Sequence, residues 1–232
     1  MSTPKKNIAP GAPSEKLYDL RGALEWLQEQ GDLVVTDKEV DPDLEIISLQ
    51  KVFDGGCPIL FNNVKGKPNN RVVTNLFGDM NIINKMFGWT DDADRTRKLA
   101  WALQHPLPSV EIGQDVAPCQ EHVIENPVDV NDYLVPIRHT EYEPELTVGS
   151  GNRVVAGKYF DGGTDLGYNR MNFRWGNVGT FQISPGSHMW QVVSKHYKDD
   201  EPVPITMCFG LPPSCTLMAG AGFDYVILPQ GC

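Results

Sequence analysis

The chain has 232 residues, 41% of them hydrophobic, with 20 basic and 30 acidic side chains and a formal net charge of -10. That length and apolar content predict a soluble globular fold of one large or two small domains. The acidic balance disfavours the phosphate neutralisation on which nucleic-acid binding depends. Five widely spaced cysteines without a C-x-x-C pair (Cys57, Cys119, Cys208, Cys215 and Cys232) argue against a disulfide framework or a structural zinc site, and read as small buried hydrophobes. No apolar stretch reaches the roughly 18 residues of a membrane span, so a reducing cytoplasm is the expected location.

Residues 1–16 are polar and Pro/Ser-rich, lack a signal-peptide core and are expected to form a flexible tail. Leu17, Leu20, Ala23, Leu24 and Leu27 recur at helical spacing between Asp19 and Gly31, which predicts an amphipathic helix over 17–30 closed by Gly31 at C′. Leu33, Val34, Val35 and Val40 are extended. Asp41-Pro42-Asp43 then predicts an N-cap and an N1 proline for a helix through Phe53. Short strands follow at 58–61 and 71–74, separated by Asn62-Asn63 and the turn Gly66-Lys67-Pro68-Asn69, and a helical region is predicted from Met80 to Leu103.

Beyond it Pro106, Pro108, Pro118, Pro127, Pro136 and Pro144 break any helical period, and a domain boundary is placed near residue 120, giving domains 17–120 and 121–232. The later stretches 154–160, 171–175, 179–183 and 205–209 are rich in β-formers and predict an antiparallel sheet or small barrel, interrupted by one helix over 188–196. The fold class expected is mixed α+β.

The phosphate-loop, dinucleotide-fold and nucleophile-elbow signatures are absent; Gly220-Ala221-Gly222 is a lone glycine pair that reads as a tight turn. The constellation that carries chemistry is Asn169-Arg170-Met171-Asn172-Phe173-Arg174-Trp175 followed by Ser184-Pro185-Gly186-Ser187-His188. In a strand, Asn169, Met171, Phe173 and Trp175 share one face and Arg170, Asn172 and Arg174 the other, so the polar face meets solvent, a ligand or an anion. Residue types alone fit a solvated strand with surface arginines better than a binding site, and His188 alone reads as a capping or packing residue.

The order of motifs along the chain changes that balance. Asp19-Leu20-Arg21, Gln30-Gly31-Asp32-Leu33, Val40-Asp41-Pro42-Asp43-Leu44-Glu45-Ile46 and Leu60-Phe61-Asn62-Asn63-Val64-Lys65-Gly66 come first. Ala117-Pro118-Cys119-Gln120-Glu121, Pro136-Ile137-Arg138-His139-Thr140-Glu141 and Cys208-Phe209-Gly210-Leu211-Pro212-Pro213 follow in register. Colinear across most of the sequence, these stretches resemble the UbiD-like, prenylated-FMN-dependent decarboxylases. The resemblance implies an N-terminal α/β domain followed by a flavin-reductase-like split β-barrel, with the chain ending before a C-terminal domain.

It also implies prenylated FMN, a divalent Mn²⁺ or Mg²⁺ and K⁺ as cofactors. Asn169 and His188 would be metal ligands; Asn169, Asn172, Phe173, Arg174, Ser187 and His188 would contact the cofactor; Arg174 would be the substrate-facing catalytic residue. An amide oxygen and an imidazole suit a hard divalent ion, and a guanidinium suits a substrate carboxylate. The implied reaction is reversible, non-oxidative decarboxylation of an aromatic or α,β-unsaturated carboxylic acid by a homo-oligomer, the modified flavin serving as electron sink. A third metal-binding glutamate and a proton-donating glutamate have no match in the sequence, so these 232 residues resemble the N-terminal portion of a longer enzyme and are expected to be inactive alone. Residues His139 and Glu141 read as structural. A non-catalytic subunit or flavin-binding module, and a plain FMN oxidoreductase, are the competing readings.

Overall fold

The computed structural model describes residues 14–105, 112–126, 129–143, 154–158 and 164–220. The first half is built on α1 (Leu20–Gln30), β1 (Val34–Thr36), α2 (Glu45–Val52), β2 (Ile59–Phe61), β3 (Val72–Thr74), α3 (Met80–Phe87) and α4 (Asp92–Gln104). Asp19 caps α1 by accepting from Gly22 N–H, and Gly31 closes it in the left-handed region at φ 75°. Ahead of α1, Glu15–Tyr18 form a 3-10 turn capped by Ser14. β2 pairs in parallel with β1 and antiparallel with β3, and all three of its side chains are buried.

Among the described residues, two apolar clusters hold this half. Leu17, Ala23 and Leu27 pack against Ile82 and Met86, joining α1 to α3. Val40, Ile46, Ile59, Phe61 and Val64 form the second cluster, which Val135 and Ile137 cover from a later segment. Each fully buried aliphatic side chain contributes about 2 kcal/mol of transfer free energy.

Two predicted helices differ from the structure for local reasons. The region 80–103 is two helices, because Gly88 adopts φ 65° and terminates α3 while Asp91 accepts from Asp94 N–H and starts α4. Helix α2 begins at Glu45 rather than after Asp41: Arg138 N–H donates to Pro42 O and Leu44 N–H to Arg138 O, which keeps residues 42–44 out of the helix, with Leu44 in the left-handed region at φ 69°. Asp41 instead closes a turn by accepting from Asp43 N–H at 2.9 Å.

The second half contains β4 (Val154–Lys158), β5 (Thr164–Tyr168), β6 (Met171–Trp175), β7 (Val178–Phe181), α5 (His188–Lys198), β8 (Ile205–Cys208) and α6 (Pro213–Ala219). Strands β5-β4-β8 form an antiparallel sheet, and β6-β7 form a hairpin. Strand β5 and helix α6 add to the predicted elements, so among the described residues two helices, not one, accompany these strands. Residues 159–160 of the first predicted strand lie outside the described residues. Met189 and Val192 bury one face of α5 against Met171, Phe181, Ile183, Ile205 and Met207, which joins the hairpin to β8. The whole is a mixed α/β fold. Among the described residues no helix is long and apolar enough to cross a membrane.

Cysteines 57, 208 and 215 are half-buried, whereas Cys119 is exposed and does not act as the buried hydrophobe expected of it.

Candidate cofactor site

Asn169 and Arg170 form the tight connection between β5 and β6. Tyr168, immediately before them, donates its hydroxyl to the Thr216 carbonyl of α6, and burial raises its phenol above the ordinary value. The Arg170 carbonyl accepts from Gln182 N–H at 2.8 Å. Since Ser184–Ser187 begins two residues after Gln182, that turn and Asn169 lie at the same end of the β6-β7 hairpin.

The turn itself starts α5. Ser187 N–H donates to the Ser184 carbonyl at 3.1 Å and Gly186 takes φ 84°, which a side chain would strain. The Ser187 hydroxyl accepts from Trp190 N–H at 3.2 Å, making Ser187 the N-cap and His188 the first helical residue. The positive end of an eleven-residue helix therefore lies close in the chain to this end of the hairpin.

Strand β6 departs from the simple alternation predicted for it. Asn172 pairs with Thr180 and Trp175 with Val178, so three steps on β6 oppose two on β7 and a bulge falls at Phe173-Arg174. Gly179 permits it: a Cβ there would lie 2.8 Å from the Asn172 carbonyl carbon and 3.1 Å from Phe173 Cα. The Phe173 carbonyl accepts from the Asn131 side-chain amide at 2.9 Å. Met171 packs under α5, while Arg174 and Trp175 are exposed beyond the bulge.

The half-buried Asn172 has its amide oxygen shielded from solvent and without a hydrogen-bond partner among the described residues. A buried acceptor without a donor costs free energy unless something supplies one. It fits a flavin, whose N–H and ribityl hydroxyl groups are donors. The described residues contain no group of three or more His, Cys, Asp or Glu side chains able to hold a metal.

The structure thus places Asn169, Ser187 and His188 toward one end of the hairpin. Arg174 stands five residues along the chain from Asn169, at most about 17 Å away, less whatever the bulge takes up. Asn172 and Phe173 lie between. Sequence reasoning missed Asn131, Gly179 and Glu143. Glu143 bonds His139, four residues before it, and faces Arg170, 27 residues away in a different element. Farther off, burial first and then the neighbouring thiols of Cys119 and Cys215 raise the Cys208 thiol.

Comparison with known proteins defines the class. Residues 24–103 match the 3-octaprenyl-4-hydroxybenzoate carboxy-lyase N-terminal domain, and residues 110–231 match the Rift-related domain of the same carboxy-lyase. The chain belongs to the UbiD family. Gallate decarboxylase of Lactiplantibacillus plantarum is 28% identical over 94% of this chain and 47% of its own length. The UbiD-class enzyme HmfF of Pelotomaculum thermopropionicum, solved with FMN, superposes with a TM-score of 0.79 at 28% identity, covering 89% of this chain and 46% of that one. An evolved dimeric form of HmfF, solved with prFMN, gives 0.77 at 27% identity, over 85% of this chain and 45% of that one. The chain spans about half the length of the curated relatives it matches.

Proposed function

We propose that this chain supplies the prenylated-FMN site of a carboxy-lyase that reversibly decarboxylates an aromatic or α,β-unsaturated carboxylic acid. The observation that carries the reading is the shielded Asn172 oxygen beside the β6 bulge, without a hydrogen-bond partner among the described residues, in a chain of the UbiD family. The second half is then a split β-barrel spanning 121–232, behind an N-terminal domain over 17–120.

In this reading Asn169 and His188 hold a divalent Mn²⁺ or Mg²⁺ at the flavin phosphate, with K⁺ as an accompanying cation. Ser187 and the α5 N-terminus add N–H donors and positive potential there. Asn172 accepts from the flavin, and Phe173 sets the cofactor's position through its bulged backbone. Arg174, exposed at the far end of β6, holds the substrate carboxylate through a forked pair of N–H bonds. When bound, the modified flavin supplies the electron sink for loss of CO₂. The separation of Asn169 from Arg174 leaves room to lay the flavin along the strand between the metal end and the substrate end. The full-length protein is a homo-oligomer in this reading.

The glutamates that the family resemblance calls for have no match in residues 1–232, so these residues alone are expected to bind flavin without turnover. The test is direct. The protein is titrated with FMN in the presence of Mn²⁺ and of a chelator, then loaded with prenylated FMN and supplied with hydroxybenzoates and cinnamates while CO₂ is measured. Mn²⁺-dependent flavin binding supports the cofactor assignment, and metal-independent binding or none overturns it. Release of CO₂ by residues 1–232 alone would overturn the expected inactivity.

A further inference from the structure

Arg138 ties a loop of the second half to the first. Its backbone bridges Pro42 and Leu44, its Nη1 faces the Asp43 carboxylate at 3.3 Å, and its remaining N–H groups bond the carbonyls of Glu143 at 3.0 Å and Glu141 at 2.9 Å. A guanidinium that bonds two carbonyls of one short loop fixes that loop's path. Glu143 is delivered by it. Only 15% of the Glu143 side chain is exposed, and its two oxygens serve different elements. Oε2 accepts from His139 N–H at 2.6 Å, and Oε1 faces Arg170 Nη2 at 3.4 Å.

Arg170 is held twice. Its carbonyl accepts from Gln182 N–H, its guanidinium meets Glu143, and its chain neighbour Met171 is locked under α5. Its other neighbour is Asn169. With Arg170 60% exposed, the ion pair contributes little to overall stability, so its consequence is geometric. We propose that Glu143 is a positioning residue for the metal and flavin-phosphate end of the site, orienting Asn169 through Arg170 and registering it on the N-terminal half. The proposal rests on the cofactor assignment above.

The test is Mn²⁺-dependent FMN binding by the full chain, followed by flavin fluorescence and by the electron paramagnetic resonance signal of free Mn²⁺, with urea midpoints measured in parallel. Glu143→Gln and Arg170→Met should each weaken binding about tenfold, the order seen when a ligand's outer partner is removed. The double variant should lose about the same tenfold, since the two act as one unit. Arg170→Lys, which keeps the charge, should stay within about threefold of the unmodified protein. Unchanged binding in both single variants would overturn the proposal. So would multiplied losses in the double variant, or an affinity loss matched by a lowered urea midpoint. Should Glu143→Gln fail to fold, Arg170→Met and Arg170→Lys at the exposed end of the pair decide the question. Failure of the unmodified protein to bind FMN with Mn²⁺ would overturn the cofactor assignment and this proposal together; normal binding there with unaltered variants would overturn this proposal alone.

Discussion

The side-chain amide of Asn131 donates to the Phe173 carbonyl across 2.9 Å, joining the segment that crosses between the two halves to the bulge of β6. A bulged residue loses its regular ladder partner, so its carbonyl depends on an outside donor. Asn131→Ala should therefore lower stability by about 1–3 kcal/mol, the cost of stranding a part-buried acceptor. Urea unfolding followed by circular dichroism measures it. FMN affinity should fall as well, because Phe173 is the residue whose backbone the bond fixes; a variant with both properties unchanged would remove Asn131 from the site.

Gly179 faces the same bulge from β7. A methyl group there would press on the Asn172 carbonyl group and on Phe173 Cα, and both are backbone that cannot swing aside. Gly179→Ala should cost about 1–3 kcal/mol as overpacking and displace Asn172 and Phe173. Loss of FMN binding at a temperature where the variant remains folded is the expected outcome. Unaltered binding would show that the bulge tolerates the shift.

Local signals made much of the fold legible. Asp19 and Gly31 bracket α1 because a cap and a left-handed terminus are short-range chemistry. The break at Gly88 and Asp91 was written in the same language, yet the apolar period through Ile82, Met86 and Leu99 masked it. The late start of α2 was not legible, since it depends on Arg138, far along the chain, pairing with residues 42–44. The site divides in the same way. Residue types placed Asn172 on a polar strand, but the bulge that sets its surroundings arises from Gly179 across the hairpin. Glu143 had no sequence signal because Arg170 lies 27 residues away in a different element.

Asp94, nearly buried at the head of α4, gives a pH test. The bond from Lys98 and the Thr90 N–H bond, with a further bond from Arg97, hold its carboxyl down at about 2. An unfolded chain would titrate it near about 3.9. A carboxyl depressed on folding contributes stability that is fully present above the unfolded value and lost as pH falls through the folded one. The difference in melting temperature between the unmodified protein and Asp94→Asn should hold from pH 7 to about 5, shrink below about 4, and vanish only below about 2. Since Arg97 is largely exposed, added salt should reduce it. A difference constant down to the acid limit would rule out the charge as its source.

Asn172 separates a binding role from a structural one. Its shielded oxygen has no donor among the described residues, so folding of the ligand-free protein carries an uncompensated desolvation cost at this atom. Replacing it with leucine, close in volume and without polar atoms, should leave the flavin-free protein as stable or more stable, because a stranded acceptor is removed rather than created. Flavin binding should move the other way, weakening about tenfold as one hydrogen bond of about 1.4 kcal/mol to the cofactor is lost. Urea midpoints with and without FMN measure both effects on one sample. A structural hydrogen bond would give the opposite pattern, with the flavin-free protein destabilised and the affinity of the folded fraction unchanged, and that result would take Asn172 out of the cofactor site.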